Sequence, residues 1–101
     1  MARFDVYKYK TRGFDLIVDI QADFLEHLET RIAIPLYLKT SVALECQDRL
    51  KPIIKIKDKD YVLVTTDMAT VFEKNLGDRI ANLEHHRYKI MDAVDFLFQG
   101  F

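Results

Sequence analysis

The period of the hydrophobic pattern changes once along this chain, and that change constrains the fold more than any other feature. The first two thirds contains short β-branched segments that alternate or run apolar, which is typical of strands. The last segment instead repeats apolar residues at three- and four-residue steps, which predicts one long amphipathic helix. With 101 residues, the chain is long enough for one domain with one core, residues 1–101, of the α+β class.

The predicted strands are separated by turn signals. They cover residues 3–7 with Tyr9 beyond them, 16–20, 31–34, 52–57, 61–66 and, as a weaker candidate, 70–74. Pro35 cannot donate to a ladder, so it predicts a sheet edge or a bulge. The polar residues 58–60 separate two β-branched runs, which predicts a β-hairpin. Residues 37–50 fit no single pattern.

The predicted helix begins near Leu83 and ends before Gly100, since glycine after the last periodic residue is a helix stop. Its apolar positions are Leu83, Ile90, Met91, Val94, Leu97 and Phe98, and its polar face carries His85, His86, Lys89, Asp92 and Asp95. Bases precede acids, against the helix dipole, at a cost of only tenths of a kcal/mol per charge. Phe101 lies past the helix, where it either folds back into the core or is offered to a partner.

Charge and composition exclude several classes of function. The formal net charge is −1, from 15 basic and 16 acidic residues, which argues against a sequence-independent nucleic-acid binder but leaves a local basic patch open. Cys46 is the one cysteine, so no intramolecular disulfide can form. Apolar runs are too short to cross a bilayer and no secretory signal is visible, so a soluble cytoplasmic protein is expected.

The sequence contains no catalytic, metal or cofactor signature. His85 and His86 are adjacent, so on a helix they would point about 100° apart, and surface histidines explain them better than a metal site. Asp19 and Asp23 could form an acid–base pair, but a strand-ending and a capping aspartate explain them better. The apolar pair Phe24-Leu25 has about equal chances of core packing and partner contact.

Several segments, taken in order, resemble one protein family. They are Phe4-Asp5-Val6-Tyr7-Lys8-Tyr9-Lys10, Val18-Asp19-Ile20-Gln21-Ala22-Asp23, Ile34-Pro35-Leu36, Thr65-Thr66-Asp67-Met68-Ala69-Thr70-Val71, His85, Ile90 and Gly100 followed by an apolar residue. Over its whole length the chain resembles CcdB, the toxin family of the CcdA–CcdB plasmid-maintenance module. The resemblance implies an SH3-like, partly open barrel of antiparallel strands, with a small second sheet and a C-terminal α-helix, that forms a two-fold homodimer.

The resemblance also implies a toxin that binds a target and is not an enzyme. The family's toxin binds the A subunit of DNA gyrase and traps the cleaved DNA, and a segment of the antitoxin that folds on binding displaces it. Operator DNA would be contacted through the antitoxin. Carried over by position, the gyrase-facing residues are Phe24, Leu25, Glu26, Arg87, Tyr88, Met91, Asp92, Asp95, Gln99, Gly100 and Phe101.

Antitoxin-binding residues are assigned, by the same resemblance, to the loop 10–14 and the segment 41–46. They are Lys10, Thr11, Arg12, Gly13, Phe14, Ser41, Val42 and Cys46. Three gyrase-facing positions depart from the best-known plasmid toxin, which has tryptophan at Gln99, an acid at Arg87 and an amide at Asp95. A glutamine in place of a stacked ring loses about 1–2 kcal/mol of cation–π attraction. We therefore expect a divergent member matched to its own antitoxin and gyrase, with weak or lost toxicity as the alternative.

Two further functions stay open from the sequence. One is an endoribonuclease toxin on the same fold, for which Arg31, Arg49 and Thr66 are the candidate phosphate-site residues. The other is a non-toxic relative that binds antitoxin and acts as a transcriptional co-repressor.

Overall fold

The computed structural model describes residues 2–11, 14–22, 28–39 and 49–100, with the backbone alone for Lys10, Thr11, Phe14 and Asp15. Across these ranges the chain forms seven strands and one α-helix. They are β1 (Asp5–Thr11), β2 (Phe14–Asp19), β3 (Thr30–Leu38), β4 (Ile53–Ile56), β5 (Lys59–Leu63), β6 (Ala69–Phe72), β7 (Arg79–Asn82) and α1 (Arg87–Gln99).

All the strand pairings are antiparallel, and they build one curled sheet in the order β4-β5-β3-β2-β1-β7. β3 is the branch point, because Leu36–Leu38 pair with β5 whereas Thr30–Ala33 pair with β6. Together with the single C-terminal α-helix of the described residues, this confirms the predicted α+β, SH3-like, partly open barrel. The expected small second sheet is not separate, since β6 joins the same sheet through β3.

Pro35 lies inside the central strand β3, so the predicted edge or bulge is wrong. It sits opposite Ile17 of β2, and its carbonyl accepts a hydrogen bond of 3.1 Å from the Val64 N–H. The nitrogen and carbonyl of a strand residue point to the same side. The missing N–H therefore faces the gap where the neighbour of β3 changes from β6 to β5, and the ladder to β2 loses nothing.

The predicted β-hairpin is confirmed as β4 and β5, but its turn is shorter and earlier than residues 58–60. Lys57 and Asp58 form the turn, with φ values of 49° and 68°. Two successive left-handed residues define the type I′ turn, whose twist matches that of the strands. Past Leu63 the chain does not continue as a strand; Thr65–Asp67 form a 3₁₀ turn instead.

The C-terminal helix is confirmed but begins four residues later than Leu83. Residues Arg79–Asn82, which carried no predicted element, form β7 beside β1, and Glu84–His86 form a 3₁₀ turn that leads into α1. The two histidines thus precede the helix, with ring centroids 4.2 Å apart. Within the described ranges no helix is long and apolar enough to cross a bilayer.

The main core lies between the inner face of the sheet and α1. Alternate residues of the central strands point inward in register, because Val6, Val18 and Ile34 lie directly opposite one another. From the helix, Ile90, Ala93 and Val94 complete this cluster. A smaller apolar cluster, with Tyr7, Ile17, Ala33 and Val71, covers the other face of the sheet. The sheet therefore fixes the helix position, and with it the helix's outer face.

Candidate functional site: the outer face of the C-terminal helix

A ridge of exposed side chains runs along the outer face of α1. It consists of Tyr88, Asp92, Asp95 and Gln99, which are spaced i, i+4, i+7 and i+11 and are all exposed. At about 100° per residue these positions share one side of the helix, opposite the buried residues that pack on the sheet. Tyr88 is 84% exposed. We call this set the helix ridge.

Polar contacts hold the helix against the barrel from several directions. Lys89 Nζ donates to the Ile53 carbonyl of β4 at 2.7 Å. Arg49 forms a bidentate pair with Asp92, at 3.1 and 3.2 Å, and its guanidinium lies 4.7 Å from the centroid of the Phe96 ring. A rigid helix loses little conformational entropy when a partner binds, so these contacts suit the ridge to recognition.

The charges on this face are unevenly compensated. Arg87 pairs with Glu84 at 3.0 Å and lies 5.8 Å from the centroid of the Tyr88 ring. Asp92 is neutralised by Arg49. Asp95 has no ion pair or hydrogen bond with another residue that the structure describes. The ridge therefore presents one uncompensated negative charge, which suits a basic partner surface.

Phe98 is a second feature of this face, and the sequence interpretation missed it. The periodic pattern placed it on the apolar stem, but its side chain is 71% exposed. Ile90, Ala93 and Val94 already fill the core side of the helix, so Phe98 turns outward. The signal available from sequence was the adjacent pair Leu97-Phe98, because two neighbours cannot both face the same side of a helix.

Gly100 ends the helix as predicted. Its φ is +76°, and its N–H donates to the Phe96 carbonyl at 2.8 Å. A left-handed residue at this position satisfies a carbonyl at the helix end, and glycine adopts it without strain. A Cβ added here would meet nothing within 4 Å. The glycine is thus required for conformation rather than for space.

A buried ion pair fixes the end of β2 against β3. Arg31 and Asp19 are each 1% exposed, with the guanidinium Nη2 2.7 Å and Nε 2.8 Å from Oδ2. The other carboxylate oxygen accepts the Gln21 N–H at 2.9 Å. Burial raises the pKa of Asp19, against the hydrogen bonds from Arg31 and Gln21, which lower it. Asp19 is therefore a strand-ending residue, as predicted, and its role is structural.

A second network joins β1 to β7. Asp5 accepts hydrogen bonds from Arg79 at 2.8 Å, from Asn82 at 2.9 Å and from Tyr7 at 3.2 Å. Burial alone would raise the pKa of Asp5. The hydrogen bonds to its carboxylate, of which that from Asn82 has the largest effect, together outweigh burial and leave this pKa below its usual value. Burial, with Asp5 beside it, raises the pKa of Tyr7 to about 12. Tyr7 therefore stays protonated as a donor to the ionised carboxylate.

The predicted site residues divide between described and undescribed parts of the chain. Of the gyrase-facing set, Arg87, Tyr88, Met91, Asp92, Asp95, Gln99 and Gly100 come together on α1 and its end. Phe24, Leu25, Glu26 and Phe101 lie outside the described residues, as do Asp23 and His27. Of the antitoxin set, Arg12, Gly13, Ser41, Val42 and Cys46 also lie outside them, whereas Lys10, Thr11 and Phe14 belong to the paired ends of β1 and β2.

The residues considered for an endoribonuclease site do not present a free phosphate-binding surface. Arg31 is buried against Asp19, so it cannot reach a substrate, and that part of the prediction is wrong. Arg49 is engaged with Asp92. Thr66 is exposed, in the 3₁₀ turn after β5. Burial of Arg31 next to a carboxylate could not be read from the sequence, because the two residues are twelve positions apart.

Comparison with known proteins gives a family and a fold. The family model described as CcdB protein matches residues 3–100, almost the whole chain. Among solved structures, an endoribonuclease in complex with its cognate antitoxin, from a mycobacterial species, matches with a TM-score of 0.76. Its sequence is 16% identical, and the match covers 97% of this chain and 94% of that one. At this identity the similarity concerns the fold alone.

Proposed function

The chain belongs to the CcdB family, and we propose that it is the toxin of a type II toxin–antitoxin module that poisons DNA gyrase. In this proposal it binds the A subunit of DNA gyrase, traps the cleaved DNA complex, and is neutralised by a CcdA-type antitoxin. The observation that carries the proposal is the helix ridge, a rigid and exposed face next to the capped end of α1. The protein acts by binding, in the way the family's toxins do, and not by catalysis.

The composition of the helix face supports a role in binding. Exposed aromatic rings are enriched at the centres of protein interfaces, and Tyr88 and Phe98 are both largely exposed. Neither ring contributes to the buried core, so the fold gives no reason for an aromatic residue at either position. An exposed aromatic surface next to an uncompensated carboxylate suits a target with a basic contact residue.

A two-fold homodimer is also proposed, through the flank of α1 that carries Phe98. Met91, two helical turns before Phe98 at i−7, is half-buried and packs against the main core, as do Ile32 and Met68 at the margin of that core. The half-buried Met91 and the exposed Phe98, on one flank of the helix, make a surface that a second copy can cover. A dimer brings two helix ridges together, which suits a target that is itself two-fold symmetric.

The antitoxin proposal rests on the family and on the fold. The mycobacterial protein of the same fold is an endoribonuclease bound to its cognate antitoxin, which supports an antitoxin partner for this chain. We propose the loop 10–14 and the segment 41–46 as its contact regions. A segment that folds on binding would wrap these regions, and part of its path would overlap the gyrase surface.

The direct test is gyrase-mediated DNA cleavage with purified protein. We expect the wild-type chain to accumulate cleaved, protein-linked DNA with gyrase from its own host. Asp95→Arg should lower this trapping by about 10-fold or more, because it places a positive charge against a surface that complements Asp95. Lys74→Glu, at an exposed lysine in the 3₁₀ turn after β6, is the control and should trap like the wild type. Absence of trapping with any plausible host gyrase would rule out the gyrase proposal.

The homodimer has its own test by analytical ultracentrifugation. Phe98→Ser should shift the protein from dimer to monomer at micromolar concentration, because the largest exposed apolar group leaves the proposed contact. At concentrations low enough to keep the wild type and Phe98→Ser monomeric, the Tm of the two proteins should differ by little, since Phe98 is not a core residue. Phe72→Ser, which also removes a half-exposed ring, is the matched control and should remain dimeric. A monomeric wild type would contradict the proposal.

A further inference from the structure

Positive charge is concentrated in one short segment of this near-neutral chain. Residues 49–59 hold five of the 15 basic residues and one of the 16 acidic residues, so the rest of the chain has ten basic and fifteen acidic residues. In the structure this segment leads into and forms the β4–β5 hairpin. Because Arg49 is paired with Asp92, the positive charge that remains on the surface of this segment lies mainly in the hairpin, on a protein of net negative charge.

The lysines of the hairpin are displayed outward at its tip. Lys57 occupies the type I′ turn, Lys59 follows it, and both are exposed. Lys55 lies on the outward side of β4 and is 66% exposed. Lys39, just past the end of β3, lines the same shallow concavity as Lys59. We call Lys39, Lys55, Lys57 and Lys59 the hairpin lysines.

Two acids lie among these lysines, Asp58 in the turn beside Lys57 and Asp60 after Lys59, so four lysines against two aspartates leave a surplus of two positive charges. Lys55 and Asp60 approach only to 4.0 Å, and both side chains are well exposed, so their attraction is weak. Lys39, Lys57 and Lys59 form no ion pair with any other residue that the structure describes. Lys89 of α1 is also free of a carboxylate among the described residues, since its Nζ binds the Ile53 carbonyl at the start of β4.

We infer that the hairpin lysines bind the phosphate backbone of duplex DNA. Lysine is depleted at protein–protein interfaces, which need apolar anchors, and the large apolar side chains exposed among the described residues all lie elsewhere, at Leu28, Phe72, Tyr88 and Phe98. A lysine-rich surface without an apolar centre instead suits a regular array of phosphates. A lysine ammonium on its flexible side chain binds phosphate as a point charge, so we expect the contact to read charge and not sequence.

This inference rests on the proposed function in one respect, the choice of duplex DNA over RNA as the source of phosphate. A protein that acts on gyrase-bound DNA, or at its own operator, works beside a duplex. The hairpin would add non-specific backbone contacts to those made by the antitoxin. It is carried by β4 and β5, whereas the helix ridge is carried by α1, so the two surfaces can be tested separately.

Fluorescence anisotropy with a labelled DNA duplex tests the inference in the absence of gyrase and antitoxin. The duplex has about 24 base pairs, which is long enough to present more than one helical turn of phosphates. We expect the wild-type chain to bind at about 50 mM salt and to lose affinity steeply towards about 200 mM, as counterion release requires. The variant Lys57→Asn/Lys59→Gln should bind about 10-fold more weakly at the lower salt, and its log–log salt slope should be smaller by about 2. Asparagine is well tolerated at a left-handed turn position, so the hairpin should be kept.

The control removes the same charge from another surface. Lys8→Gln/Lys74→Gln neutralises two exposed lysines on β1 and after β6 and should bind duplex DNA within about 2-fold of the wild type. Equal losses in both variants would overturn the inference, because binding would then follow net charge alone. Three other results would also overturn it. They are no binding of the DNA duplex at the lower salt, much tighter binding of an RNA duplex than of the DNA duplex, and binding of polyglutamate as tight as that of the DNA duplex. Gyrase trapping is measured in a different assay, so failure here leaves the gyrase proposal standing.

Discussion

Asp19→Ala is expected to lower the free energy of unfolding by about 3–5 kcal/mol, the largest effect on stability that we predict for a single substitution. The substitution leaves the Arg31 guanidinium buried without a counter-charge, and Nη1 of this guanidinium already has no hydrogen-bond partner among the described residues. Because domains of this size are stable by only about 5–15 kcal/mol, the variant should be partly unfolded at moderate temperature. Urea denaturation followed by circular dichroism measures the effect.

Two comparison variants separate the lost ion pair from the lost side chain. Asp92→Ala breaks a longer, bidentate pair at the surface, and we expect it to cost no more than about 1 kcal/mol. The double variant Asp19→Leu/Arg31→Met removes both charges and should recover much of the stability lost in Asp19→Ala. An Asp19→Ala protein as stable as Asp92→Ala would show that Arg31 does not depend on this carboxylate.

Local rules predicted the secondary structure well where one pattern dominated. Alternation identified β1 to β6 within a few residues, and the three- and four-residue steps identified α1. The rules failed at Pro35, because only the topology of β3 reveals that its missing N–H faces a gap in the pairing. They also missed β7, since Arg79–Asn82 contains one strongly apolar residue and is held by pairing with β1 and by the contacts of Asp5 with Arg79 and Asn82.

The candidate site was predictable in outline but not in its charge pattern. Helical spacing placed Asp92 and Asp95 on the polar face, and the family resemblance added Tyr88 and Gln99. Neither could indicate that Arg49, which is 43 positions before Asp92, neutralises that carboxylate and leaves Asp95 as the uncompensated one. Contacts between residues distant in sequence depend on the fold, and no local pattern records them. The charge of a binding surface is therefore the part that needed the structure.

Removing residues 99–101 is expected to lower gyrase trapping by about 100-fold or more while the domain stays folded, as the loss of a central contact would. Gln99 and Gly100 are exposed, and neither contributes to a core cluster. The truncation costs the left-handed helix cap, in which the Gly100 N–H binds the Phe96 carbonyl, and so about 1 kcal/mol. For a domain of this size that loss corresponds to a fall in Tm of about 4–8 °C. If the tail is the centre of the gyrase contact, its loss removes several kcal/mol of binding energy.

Gly100→Ala distinguishes the direction of the tail from its mere presence. Alanine keeps the chain length and meets no neighbouring atom, but it is strained by about 1 kcal/mol at a φ of +76°. We therefore expect a smaller loss of trapping than in the truncated chain, because the residue after Gly100 is presented in the wrong direction for part of the time. DNA cleavage by gyrase and thermal unfolding should be measured on the same preparations. A truncated chain that unfolds would assign the tail to the core, and one that still traps cleaved DNA would remove the tail from the gyrase interface.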